Sequence, residues 1–160
     1  MLHQGLGSFI PRANKDEYYY QTGRIFCMEL PLVFETSKNK FIVLLDDKEP
    51  PLFFLVNSKR RGLNRNHDVE MHKEDYSFLT KKVSYLDYDS TFESYDEVLT
   101  VPTRQQILDL LDSEPDRYKG ILKEKDAEAL LYGIENNNTA IEPKDLDRII
   151  AGLKTFLGEK

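Results

Sequence analysis

Residues 40–57, Lys40-Phe41-Ile42-Val43-Leu44-Leu45-Asp46-Asp47-Lys48-Glu49-Pro50-Pro51-Leu52-Phe53-Phe54-Leu55-Val56-Asn57, place two short apolar runs on either side of a charged turn that closes with two prolines. Proline cannot donate to a ladder, and a polar stretch ending in Pro-Pro is a connection, so the segment predicts an antiparallel hairpin of strands Lys40–Asp46 and Leu52–Asn57. Working outward, the same texture of aromatic and β-branched runs between turn formers predicts strands near Arg24–Leu30, Asp68–His72 and Val83–Tyr88. Successive short strands of this kind make a small barrel or sandwich.

Beyond Thr91 the apolar period lengthens to that of helices. Thr103-Arg104-Gln105-Gln106 matches a capping box, and Ile107, Leu108, Leu110 and Leu111 then form one face, which predicts a helix over Thr103–Asp112. Ala127, Leu130, Leu131 and Ile134 give a second helix over Glu124–Glu135. Pro143 opens a third, striped by Leu146, Ile149, Ile150, Leu153, Phe156 and Leu157. The expected class is therefore β-rich α+β, with residues 1–17 a flexible lead-in, 18–99 the barrel domain and 100–160 an acidic helical extension.

The chain of 160 residues carries a formal net charge of −6. Residues 23–90 hold eleven basic and eleven acidic groups, whereas residues 91–160 hold nine basic and fifteen acidic, so the excess belongs to the helical part. A net acidic charge argues against nucleic-acid binding in general, yet the balanced β-rich part contains the cluster Lys59, Arg60, Arg61 and Arg65. No apolar run approaches the length of about 20 residues needed to span a bilayer, and no signal peptide is legible at the start, so a cytoplasmic protein away from membranes is expected. The only cysteine, Cys27, sits in an apolar run and reads as a buried structural thiol.

Walker and dinucleotide glycine loops, zinc-type Cys/His spacings, His-Glu-x-x-His and Gly-x-Ser-x-Gly are all absent, so no cofactor or metal is expected. What remains is Lys40, Ser58, Lys59, Arg60, Arg61, Arg65, His67 and His72, a set suited to a phosphodiester because cations neutralise its charge while hydroxyl and imidazole groups hold it. The same residues have a plain structural reading, in which Lys40 begins a strand, Ser58 caps a loop and the cluster is a solvated turn. His67 and His72 are five apart, which on a strand assigns them to opposite faces.

Several segments resemble, in order, the MazF/PemK-type toxins. Gly23–Leu30 looks like their opening strand and Lys40–Leu45 like the second. Phe53–Arg60 resembles the strand that ends in Thr or Ser before a basic residue. His67-Asp68-Val69-Glu70-Met71, Lys73, Tyr76, Leu79, Lys81 and Ser84-Tyr85-Leu86 match the spacing of the family's next segment. The likeness covers roughly residues 22–90. It implies an SH3-like barrel and a metal-independent endoribonuclease on single-stranded RNA, usually a homodimer neutralised by an acidic antitoxin protein. Ser58 falls at the family's catalytic Thr or Ser, and Lys40 at its catalytic arginine. Arg60 joins them as a catalytic cation, with Lys59, Arg61, Arg65 and His67 as substrate contacts. Two positions depart from the family: lysine stands where arginine is usual, and Phe41 replaces the proline that comes next. The alternatives are a non-catalytic SH3-like module for protein or nucleic acid, and an inhibitor of a protein target of the CcdB kind. The acidic helices either extend the barrel's core or cover the basic loop as an antitoxin would.

Overall fold

The apolar hairpin of residues 40–57 forms as an antiparallel pair in the computed structural model, which describes residues 17–30, 38–58, 67–88, 102–139 and 141–158. Five strands precede the helices: β1 Arg24–Leu30, β2 Lys38–Asp46, β3 Leu52–Asn57, β4 Asp68–His72 and β5 Val83–Asp87. Helix α1 spans Arg104–Ser113, α2 Glu124–Asn136 and α3 Pro143–Phe156. Between α1 and α2 a short 3₁₀ turn, Pro115–Arg117, leads into β6, Tyr118–Ile121, a strand the sequence did not predict. β6 pairs antiparallel with β1, so residues assigned to the helical extension complete the sheet.

The six strands follow the order β4-β5-β3-β2-β1-β6 and every pairing is antiparallel. The result is an α+β fold: a small SH3-like barrel, here a curled half-barrel sheet, followed by a helical region. The runs of β1–β3 are apolar at nearly every position because both of their faces are covered. Ile25, Val43, Leu45, Leu52, Phe54 and Val56 point to one side, into a core shared with Leu122, Ala127, Leu130, Leu131, Ile134, Ile149 and Leu153 of the α2–α3 segment. Phe26, Met28, Ile42, Leu44, Phe53 and Leu55 point to the other, against Ile107, Leu108 and Leu111 of α1 and against Tyr20. Removing the helices would expose both sheet faces at a cost of roughly 25 cal/mol per Å² of apolar surface. The helical stripes thus extend the core.

Local chemistry sets the joins. Thr103 Oγ1 accepts from the Gln106 N–H at 3.1 Å and Gln106 Oε1 from the Thr103 N–H at 2.8 Å, the reciprocal cap expected from the sequence. Gly23, at φ +92°, opens β1 where an added Cβ would fall 2.3 Å from the Phe156 ring, so only glycine lets α3 close against the strand. Cys27 is half-buried on β1 and free, less enclosed than its apolar neighbours suggested.

Candidate functional site

Strand register decides which of the sequence-selected residues meet. Met28 pairs with Lys40, and Phe41 with Val56, so the next rung sets Lys40 beside Asn57; Asn57 pairs with Tyr85, and Tyr85 with Glu70. Side chains paired across antiparallel strands share a face. One row, Met28-Lys40-Asn57-Tyr85-Glu70, therefore crosses the sheet on the face that α1 covers farther along. Lys40 is half-buried in it. Ser58 follows the last paired residue of β3, exposed, one residue from the row. Among the described residues no hydrogen bond or ion pair joins Lys40 to Ser58.

The two histidines separate along β4. His72 ends the strand two positions beyond Glu70 on the same face, with Nε2 3.7 Å from the Glu70 carboxylate, at the end of the sheet where Ser58 leaves β3. His67 precedes the strand at its opposite end. There its carbonyl accepts from the Tyr88 N–H at 2.9 Å, and its ring lies 5.7 Å from that of Tyr88. Lys59, Arg60, Arg61 and Arg65 lie outside the described residues; the segment that carries them leaves from Ser58 and returns at His67.

Polar networks elsewhere have structural roles. Asp126, in the first turn of α2, is 6% exposed; burial holds its carboxyl above the usual carboxylate range, opposed by the hydrogen bond from the Tyr76 hydroxyl. Burial, and then that bond to Asp126, raises the Tyr76 phenol. Nearby, Lys125 Nζ lies 2.7 Å from Asp75, whose carboxyl its hydrogen bond holds below the usual range. A cleft of about 1020 Å³ between α3 and the β2–β3 turn is lined by both signs of charge, including Arg24, Asp46, Asp147 and Arg148. Its arginines are already committed: Arg148 to Asp46 and the turn carbonyls, Arg24 Nε to the Tyr18 carbonyl at 2.8 Å. Among the described residues no group of three or more His, Cys, Asp or Glu side chains is arranged to hold a metal ion, and no helix is long and apolar enough to cross a membrane.

The Asp126 and Arg148 networks escaped sequence reasoning because each joins residues far apart in the chain, Tyr76 and Asp126 being 50 positions apart, and no local period marks them. Neither a scan against family models nor searches of curated proteins and of solved structures finds a match for the chain.

Proposed function

We propose that the protein is a divergent toxin-type endoribonuclease of the MazF/PemK kind, acting on single-stranded RNA without a metal. One observation supports the reading above others: the β2–β3 register sets Lys40 beside Asn57, so the chain leaves β3 at Ser58, toward the basic segment, one residue beyond Lys40's partner and at the same end of the sheet, although the alternation along β3 assigns the Ser58 side chain to the other face.

The reaction is a transesterification. The ribose 2′-oxygen attacks the adjacent phosphorus, the bond to the 5′-oxygen breaks, one proton leaves the 2′-hydroxyl and one reaches the 5′-oxygen; the products end in a 2′,3′-cyclic phosphate and a 5′-hydroxyl. Lys40 and Arg60 supply positive charge where it builds on the phosphoryl oxygens, and Ser58 hydrogen-bonds the phosphate. Lys59, Arg61 and Arg65 hold the flanking backbone; of the two histidines, His72 is at the Ser58 end of the sheet by register, whereas His67 is at the far end. The partners that go with this reading are RNA, an acidic antitoxin protein and a second copy of the chain, and its compartment is the cytoplasm.

Incubating the purified chain with single-stranded RNA in chelator, beside Lys40→Ala and Ser58→Ala, tests the proposal. It predicts cyclic-phosphate ends from the parent and loss of cleavage in both variants. Cleavage that survives both substitutions, or none by the parent, removes it; salt-sensitive binding without cleavage would favour the non-catalytic module.

A further inference from the structure

Tyr18, Tyr19 and Tyr118 meet at the β1–β6 edge of the sheet. The Tyr18 and Tyr19 ring centroids are 4.9 Å apart at 88°, those of Tyr19 and Tyr118 4.7 Å apart at 75°, and Tyr118 leans on Phe26 at 6.2 Å. Edge-to-face contacts of this kind fix each ring. Tyr118 is half-buried, and desolvation pushes its phenol up to about 12. Tyr18, by contrast, is 45% exposed while the Arg24 guanidinium sits 5.3 Å from its ring centroid. Arg24 is itself 8% exposed and donates from Nε to the Tyr18 carbonyl. A large ring is thus held at the surface by two half-buried tyrosines and a buried arginine.

A cation is fixed beside this corner. Arg117, the neighbour of Tyr118, donates through Nη1 to the Cys27 carbonyl at 3.0 Å and to Asn39 Oδ1 at 2.9 Å; Asn39 precedes Lys40 on β2, so the two side chains belong to opposite faces of the sheet. Its Nε is taken by Glu114 at 3.1 Å, and among the described residues its Nη2 makes no hydrogen bond. Tyr118 pairs with Phe26 and Lys40 with Met28, on the same face, so the corner stands two strands and two residues from Lys40, about 12 Å.

We infer that Tyr18, backed by Tyr19 and Tyr118 and flanked by the Arg24 guanidinium, stacks an unpaired base of the single-stranded RNA whose backbone continues toward Lys40. The inference rests on the nuclease reading for its substrate, and it extends the site beyond the strand ends to a second, aromatic contact. Base stacking on a fixed ring needs exposed aromatic surface with positive charge beside it, which Tyr18 and Arg24 supply.

Fluorescence anisotropy with a fluorescein-labelled, fully 2′-O-methylated RNA of about 12 nucleotides, which has no nucleophile to be cleaved, reads the contact directly. Tyr18→Ala and Tyr18→Leu should each weaken binding about tenfold, while Tyr18→Phe, which keeps the aromatic face, stays within about twofold. The parent should also bind the single strand more tightly than a duplex of the same sequence. Ala and Leu variants that melt as the parent does and bind as tightly would overturn the inference, as would equal affinity for the duplex. Failure of cleavage is read separately on unmodified RNA: a parent that binds through Tyr18 without cutting supports the aromatic contact and sinks the nuclease, and one that does not bind sinks both.

Discussion

The hydroxyl of Tyr76 donates a hydrogen bond to Asp126 Oδ2 at 2.5 Å and accepts one from the Lys123 N–H at 2.8 Å. A single side chain from the β4–β5 connection thereby secures the N-terminus of α2, where Lys123 has no side-chain cap of its own. Helix and sheet are joined by chemistry as well as by apolar packing. Tyr76→Phe keeps the ring and deletes both bonds, leaving a buried carboxylate and a helix N–H without this partner. The variant should lose about 1–3 kcal/mol in urea unfolding. A loss below a few tenths would show that the bonds are dispensable.

Asp126 gives the fold a pH dependence of definite sign. Its carboxyl sits above the ordinary 3.8 because burial disfavours the charge, with the Tyr76 hydrogen bond opposing. Over the interval just above that value the folded chain keeps a proton that the unfolded chain has lost, so stability falls as pH rises there. Asp126→Asn, which is near in shape and cannot ionise, removes this term. The melting temperature of the variant should therefore gain on the parent's as pH goes from acidic to neutral. A constant difference, or one of opposite trend, would mean that the helix N-terminus and Tyr76 fully offset burial.

Arg148 of α3 acts as a clasp on the β2–β3 turn. Its Nε bonds Asp46 Oδ2 at 2.5 Å, and its Nη2 bonds the Lys48 and Pro50 carbonyls at 2.9 and 2.6 Å. The Asp46 side chain is 7% exposed, so it depends on this partner. Arg148→Ala should cost about 3–5 kcal/mol by stranding a buried charge, and the pair Arg148→Ala with Asp46→Ala less than the sum of the singles. Arg148→Lys should recover little, because an ammonium cannot span a carboxylate and two carbonyls as the planar fork does. Additive losses in the double-mutant cycle would show that the two residues act independently.

The sequence was most informative where a period was sustained. Strands read over Arg24–Leu30, Leu52–Asn57 and Asp68–His72 form at those bounds, and the Thr103 cap begins α1. β6 escaped because Tyr118-Lys119-Gly120-Ile121 is four residues long, contains a glycine and lies between helices; only its pairing with β1 makes it a strand. The tyrosine run 18–20 gave no signal for the same reason. Its meaning comes from Tyr118, about a hundred residues away, and from Arg24 beneath it. At the candidate site, register brings Lys40 and Ser58 to one sheet end, whereas His67 and His72 fall at opposite ends of β4, a separation that the alternation of faces alone did not reveal.

The departures at residues 40 and 41 lead to a last prediction. Phe41 is paired on both sides, with Cys27 and with Val56, and its ring packs on Phe78 at 4.8 Å. A proline there would sit in a central strand where it cannot donate to the ladder, so the usual proline is incompatible with a β2 that runs unbroken from Lys38. Lys40 is consequently held inside a strand. In the nuclease reading, Lys40→Arg should raise single-turnover cleavage, and Lys40→Ala should lower it by about 10²–10³, as loss of one charge-stabilising donor does. If arginine cleaves more slowly than lysine, residue 40 acts by moving a proton, which a guanidinium cannot release, and its assignment as an electrostatic stabiliser fails.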